Sequence, residues 1–238
     1  MPSKDQVYRD PQAHIVDFAF DETVADVFPD MIRRSVPGYE TVVPITGLIA
    51  ARHLPVEGLA CDLGCSLGAT TLAVLRQLGE QPARILAVDN SAPMLDRAKQ
   101  LITDDRVTFR CEGIRHTDVT GANVVLMNYI LQFIEPAARG LLLTKLCRDM
   151  APHGLLILSE KIRFESEPDQ AFNDTTHLAY KKANGYSELE ISQKRTALEN
   201  IMIVDSEAEH RERLTEAGFR RIDCWFRCLN WVSFLAYR

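Results

Sequence analysis

From Leu59 to about Glu160 the chain alternates short, continuous apolar runs with longer segments whose apolar residues recur at helical spacing. The first kind reads as strands buried on both faces, and its alternation with helices predicts a parallel sheet with crossover helices. Strands are predicted at Leu59–Leu63, Arg84–Asp89, Val107–Arg110, Asn123–Asn128 and Leu155–Glu160, with helices between them at Ala69–Leu78, Pro93–Leu101 and Pro136–Met150. Two of these helices open on proline, which is tolerated in the first turn because its missing N–H would have had no helical partner there. Ser91 stands where a hydroxyl can cap the helix near Pro93. Later, the amphipathic segment Glu207–Ala217 stops at Gly218 and leads into Arg220–Arg227 and Trp231–Tyr237. Those two runs are rich in aromatic and β-branched residues and meet at a turn, Leu229-Asn230, so they are predicted to form a hairpin.

The first strand breaks into a glycine-bearing loop, Leu59-Ala60-Cys61-Asp62-Leu63-Gly64-Cys65-Ser66-Leu67-Gly68, and the second ends on a carboxylate, Ile85-Leu86-Ala87-Val88-Asp89. Gly64 permits a tight turn and close backbone approach. An acid at the end of the second strand is placed to accept hydrogen bonds from ribose hydroxyls. A dinucleotide loop requires glycine where this chain has Ser66, and Gly68 comes too early for the third glycine, so a pyrophosphate ligand is disfavoured. The loop instead resembles the first motif of the S-adenosylmethionine-dependent methyltransferases. That likeness implies an α/β, Rossmann-like fold whose mostly parallel, seven-stranded sheet is closed by one antiparallel strand, and it implies S-adenosyl-L-methionine as ligand.

In such a crevice Asp89 is the leading ribose acceptor and Asn90 beside it falls at the adenine edge. Asn128 ends an apolar strand with an amide, which suits the ligand side better than the core. After the third strand, Glu112 through its side chain, or Gly113 and Ile114 through their backbones, are candidates for the adenine amino group.

Two regions lie outside this core. Residues 1–54 form an N-terminal cap with helix-like Val24–Ser35 and Val42–His53. Residues 55–238 form the ligand-binding domain, interrupted by a largely helical insertion at 161–206. Additions of this kind are where a lid over the crevice originates. Within the insertion, Ser187 and Glu190 have capping-box spacing, which predicts a helix from Glu188 that carries Arg195 near its far end. On spacing alone, Lys181-Lys182 and Lys194-Arg195 read as charges on solvated helix faces.

Composition narrows the function classes. The 238 residues carry a formal net charge of -6, which offers no long-range attraction for phosphate backbones and argues against direct nucleic-acid binding. No apolar run is long enough to span a membrane, and Met1–Asp10 is too polar for a secretory signal, so the expectation is a cytoplasmic protein. The six cysteines form no C-x-x-C pair and the six histidines do not cluster at ligand spacing; reduced thiols and no metal are expected.

Taken together, Phe28–Tyr39, the Asp62–Gly68 loop, Leu131-Gln132-Phe133 and Tyr186–Arg195 closely resemble the carboxy-S-adenosyl-L-methionine synthase family, over nearly the whole chain from Phe18 to Trp231. The resemblance implies an enzyme that converts S-adenosyl-L-methionine and prephenate to carboxy-S-adenosyl-L-methionine and phenylpyruvate. It implies a homodimer whose product passes to a tRNA carboxymethyltransferase that completes a wobble uridine. The implied ligand contacts are Tyr39, Gly64, Cys65, Ser66, Asp89, Asn90, Gly113, Ile114, Asn128 and Arg195. One departure stands out: family members usually carry an acid where this chain has Gly113, and Glu112 is the nearest substitute. Arg195 is the expected catalytic residue, because a planar guanidinium grips a carboxylate through two hydrogen bonds. Arg33, Arg34, Tyr186 and Lys182 are unranked candidates for the rest of prephenate. The core residues alone are equally compatible with a methyltransferase acting on a small acidic acceptor, or with a non-catalytic S-adenosylmethionine-binding protein.

Overall fold

Strand β1 (Gly58–Leu63) is buried along nearly its whole length and pairs in parallel with β2 (Ala83–Asp89) on one side and β4 (Val124–Asn128) on the other. In this computed structural model, which describes residues 4–238, β3 (Val107–Cys111) and β5 (Leu155–Arg163) extend the sheet outward in parallel register. Met1, Pro2 and Ser3, part of the N-terminal segment judged too polar for a signal, lie outside the described residues. The last two strands, β7 (Arg221–Cys228) and β8 (Trp231–Tyr237), form the expected hairpin, and β8 runs antiparallel to both β5 and β7. The order is β3-β2-β1-β4-β5-β8-β7, with β8 the one strand of opposite direction. Seven strands were expected. An eighth, β6 (Asp205–Ser206), is two residues long and pairs with the end of β5 off the main path.

The period-2 alternation of the strands divides the core between two faces. Leu156 and Leu158 pack on one side with Leu142, Leu143 and Leu146 of α5 (Pro136–Asp149) and Leu214 of α8 (Glu207–Glu216). Leu155 and Ile157 pack on the other with Ala50 of α2 (Tyr39–His53) and Val74, Leu75 and Leu78 of α3 (Ala69–Leu78). A sheet covered on both faces explains why its strands read as continuous apolar runs.

Local chemistry sets the element boundaries. Helix α4 (Ala92–Leu101) starts where Ser91 Oγ accepts the Met94 N–H at 3.3 Å, the cap expected from sequence. Helix α1 (Glu22–Ser35) is capped by Asp21, whose side chain accepts from Val24 N at 2.9 Å. Helix α2 begins at Tyr39, three residues before the expected Val42, because Gly38 adopts a φ of 79° and turns the chain directly into the helix. The insertion supplies α6 (Glu167–Ala183) and α7 (Glu188–Glu199), and α7 opens on the Ser187–Glu190 capping box.

The N-terminal segment straps the insertion to the sheet. Phe18 N donates to Ala197 O at 2.9 Å, Gln12 N donates to Gln193 Oε1 at 2.7 Å, and Ser91 Oγ donates to Phe20 O at 2.5 Å. The strap therefore holds α7 beside the carboxyl ends of β1, β2 and β4, where strand order reverses and an open α/β sheet binds its ligands.

Candidate active site

The glycine loop is built from backbone bonds that leave room at its centre. Gly64 N and Cys65 N both donate to Val88 O, at 2.8 and 2.9 Å, which folds the end of β1 over the end of β2. Gly64 has a φ of 76°, and a Cβ there would stand 2.2 Å from Ile130 Cδ1, so only glycine fits. Ser66, the residue that separates this loop from a dinucleotide fingerprint, also lies in the left-handed region, with φ 51°. Its N–H donates to Asp89 Oδ2 at 2.8 Å, while Asp89 Oδ1 accepts from Ser91 N at 2.9 Å. Burial pushes the Asp89 carboxyl above the ordinary carboxylate range, against the backbone N–H groups of Ser91, Ser66 and Asn90 that pull it down. Each Asp89 oxygen retains acceptor capacity beyond its backbone bond. Asn90 is exposed beside it.

At the end of β4, Asn128 is clamped through both ends of its amide. Its Nδ2 donates to Thr70 Oγ1 at 3.0 Å, and its Oδ1 accepts from Ser159 Oγ at 2.7 Å. Ser233 Oγ donates to Ser159 Oγ at 2.8 Å, so a polar line crosses β4, β5 and β8 inside the sheet. Behind the loop, buried Asp62 accepts from Thr71 Oγ1 at 2.6 Å, and burial raises its carboxyl to about 6. Tyr39 lies 6.2 Å from the ring of Tyr129, which follows Asn128 with φ 64° and meets Trp231 edge-on at 5.2 Å. Burial pushes the phenols of Tyr39 and Tyr129 well above the usual range.

The turn after Tyr129 is fixed by a buried acid. Glu160 Oε1 accepts from Ile130 N and Leu131 N, at 3.1 and 2.7 Å, and its Oε2 accepts from Gln132 N at 3.0 Å. Burial pushes Glu160 up to about 8, although these three N–H groups and the charge of Arg139 favour the ionised form.

At the end of β3, Glu112 N donates to Asp89 O at 3.0 Å, which places the 112–114 turn beside the ribose acceptor. Glu112 Oε1 is buried without a hydrogen-bond partner among the described residues. Ile114 is buried, and Gly113 is exposed with only His116 Cδ2, at 3.9 Å, near a Cβ built on it. The site therefore has room for a side chain at 113 and supplies a buried carboxylate oxygen from 112.

Arg195 is exposed on α7, with no carboxylate at ion-pair distance among the described residues. Burial first of all, with the charge of Arg195 among the smaller causes, lowers Lys161, His177 and Lys181. Lys181 and Lys194 depart from the expectation of solvated charges: Lys181 is half-buried and Lys194 is buried, because α6 and α7 fold back onto α1. The other cationic candidates are committed elsewhere. Arg33 pairs with Asp30, Lys182 pairs with Glu188 at 2.5 Å, and Arg34 bonds Asp30 and the carbonyls of Asp5 and Asn184 while stacking 3.8 Å over Tyr186. Tyr186 donates its hydroxyl to Asp5.

Sequence reasoning took Asp62 only as part of the glycine loop and gave no role to Thr70, Tyr129, Lys161, His177 or Trp231. For Lys161 a signal existed: Ser159-Glu160-Lys161 sets three polar residues in a row at the end of a buried strand.

Comparison with known proteins bears on the fold and the family. A methyltransferase domain model matches residues 60–154. Among solved structures, an O-methyltransferase family protein from Burkholderia thailandensis superposes with a TM-score of 0.68 at 15% identity, over 95% of this chain and 65% of that one. Human N-acetylserotonin methyltransferase in complex with SAM superposes with a TM-score of 0.61 at 14% identity, over 91% and 55%. The chain thus spans less than two thirds of either, and the likeness shows the fold alone. Sequence relatives reach further. Carboxy-S-adenosyl-L-methionine synthase from Pasteurella multocida is 44% identical over 99% of this chain and 100% of its own length. The protein of the same name from Shewanella putrefaciens is 46% identical over 99% of each. With the methyltransferase fold, the glycine loop and this full-length identity together, the chain belongs to the carboxy-S-adenosyl-L-methionine synthase family.

Proposed function

We propose that this protein carboxylates the methyl group of S-adenosyl-L-methionine, with prephenate as the carboxyl donor. The observation that carries the reading is Arg195: a guanidinium with no ion-pair partner among the described residues, on an inserted helix that the N-terminal segment straps toward the ligand end of the sheet. A carboxylate attached to the sulfonium methyl carbon gives it a partner, through two parallel hydrogen bonds. Asp89 takes the ribose hydroxyls, the orphaned Glu112 oxygen takes the adenine amino group, and the backbone of Gly64, Cys65 and Ser66 lines the ligand with Tyr39, Asn128, Gly113 and Ile114. Asn90 borders the adenine edge.

The reaction balances without a protein base. Prephenate loses its ring carboxyl as carbon dioxide and its ring hydroxyl as hydroxide, leaving phenylpyruvate. The positive sulfur acidifies the methyl group, a methyl proton joins the hydroxide as water, and the methyl carbon bonds the carbon dioxide. A covered pocket keeps solvent from intercepting the carbanion. In this reading no metal takes part, the protein acts in the cytoplasm as a homodimer, and its product is the donor for a tRNA carboxymethyltransferase while this chain itself binds no nucleic acid. Mass spectrometry of the nucleoside recovered after incubation with S-adenosyl-L-methionine and prephenate tests it. A product heavier than the starting nucleoside by one carbon dioxide is expected. Methyl transfer to an acceptor, with no such product, would assign the chain to ordinary methyl transfer.

A further inference from the structure

Three lysines from three different elements, Lys161, Lys181 and Lys194, have no acid at ion-pair distance among the described residues, and the charges of Lys161 and Lys194 both bear on Lys181. Lys161 stands on β5 two residues beyond Ser159, the register partner of Asn128, so strand alternation sends both side chains to the same face. Its own register partner on β8 is Trp231. The Trp231 ring meets His177 of α6 edge-on at 6.1 Å, and Lys181 follows His177 by four residues on the same helix face. Ser35 ties in the third element: its carbonyl lies 2.8 Å from His177 Nε2 and its hydroxyl accepts from Lys194 Nζ at 3.1 Å.

These charges oppose one another. Burial, followed by the charges of Lys161, Lys194 and Arg195, lowers Lys181 to about 7, and burial first of all lowers Lys194 to about 8. The acids that face the cluster, Asp174 toward Lys161 and Asp5 toward Lys194, are already engaged. Asp174 Oδ2 accepts from Gln170 Nε2 at 2.9 Å, and Asp5 takes the Tyr186 hydroxyl. Like charges held together out of water are unfavourable unless an anion joins them. A second observation points to a ligand at the same place: Tyr129 OH and Trp231 Nε1, whose rings touch, are both buried without a hydrogen-bond partner among the described residues. Buried donors of this kind are normally satisfied.

We propose that Lys161, Lys181 and Lys194, walled by His177 and Trp231, form a second carboxylate subsite beside Arg195, which binds the carboxylate that the donor retains. The subsite thus separates the two carboxyl groups of the donor: one is released toward the methyl carbon and the other stays on the lysines. This rests on the carboxylation reading above; of the cations the sequence left unranked, Arg33 and Lys182 hold ion-pair partners, and Arg34 is held by Asp30, Asp5 and Asn184 with only its Nη2 unpartnered among the described residues.

Phenylpyruvate, which carries only the retained carboxylate, probes the subsite without turnover. In calorimetric titrations of the full chain with S-adenosyl-L-methionine present, Lys161→Gln and Lys181→Gln should each weaken phenylpyruvate by about tenfold or more, the scale of a lost charge-assisted hydrogen bond. Affinity for S-adenosyl-L-methionine should change by less than about threefold, which reports an intact fold, and Lys181→Arg should recover most of the loss because the charge is kept. The KM for prephenate should rise in step with the loss of phenylpyruvate affinity. Unchanged phenylpyruvate affinity and unchanged KM in both glutamine variants would overturn the subsite. Should the parent bind phenylpyruvate in this lysine-dependent way but make no carboxylated nucleoside from prephenate, the subsite would stand and the carboxylation reading would fall.

Discussion

Asp89 shows how a single carboxylate serves two ends at once. Its oxygens pin Ser66 N and Ser91 N, shaping the loop and the start of α4, and each keeps acceptor capacity for the proposed ribose contact. Asp89→Asn keeps the size but removes the charge and turns one acceptor into a donor. Binding of S-adenosyl-L-methionine should weaken about tenfold to a hundredfold, given about 1.5–3 kcal/mol for a hydrogen bond to a charged group. Equilibrium dialysis showing unchanged affinity would remove Asp89 from the ribose. Arg195 makes a different demand. Arg195→Ala should lower the yield of carboxylated nucleoside by at least about tenfold while much of the affinity for S-adenosyl-L-methionine survives, and Arg195→Lys should restore only part, because an ammonium is a point charge where two parallel donors are required. Equal product from Arg195→Ala and parent would refute the role.

At the level of elements, the end of β5 does most of the positioning. Ser159 holds Asn128, Glu160 holds the three N–H groups of the turn after Tyr129, and Lys161 stands in register with Trp231 of β8. Glu160 gives this junction a pH dependence. A carboxyl whose pKa is raised by folding, here from 4.5 to about 8, binds its proton more tightly folded than unfolded. Its contribution to stability therefore falls as pH rises through that window and is flat on either side. Across the same interval, parent stability measured by urea unfolding should decline relative to Glu160→Gln, whose own deficit from one lost acceptor is constant with pH. Parallel pH profiles for the two proteins would contradict this. The contrast between strand and insertion also explains what could be read from sequence. The loop around Gly64, the strand-end acid Asp89 and the caps at Ser91 and Ser187 are local: backbone conformation and a neighbour three residues away decide them. The burial of Lys181 and Lys194 is not local. It follows from bonds between α6 or α7 and residues more than 140 positions earlier, such as His177 to Ser35 with a separation of 142 and Lys194 to Ser35 with 159.

For the molecule as a whole, the proposed function gives the nucleoside site to the common sheet and the specificity to the two additions. The N-terminal strap joins the insertion to the turn after β4: Phe20 packs edge-on against Phe133 at 5.5 Å and Phe18 bonds to α7. Continuous apolar runs and the alternation of strands and helices made the sheet legible; β6 was not, since a pair of residues, Asp205-Ser206, has no pattern of its own and is held by Arg139 and Arg213 on Asp205. The proposed dimer has its own test: sedimentation equilibrium should return about twice the 26.8 kDa of the chain. A chain-weight species at micromolar concentration would remove the dimer and leave the crevice chemistry in place. The most direct measurement follows one carbon atom. With prephenate isotopically labelled in its ring carboxyl and unlabelled S-adenosyl-L-methionine, the label should appear in a nucleoside heavier by one carbon dioxide, in equal amount to the phenylpyruvate formed. Label found only in free carbonate, with the nucleoside unchanged in mass, would contradict carboxyl transfer at this site.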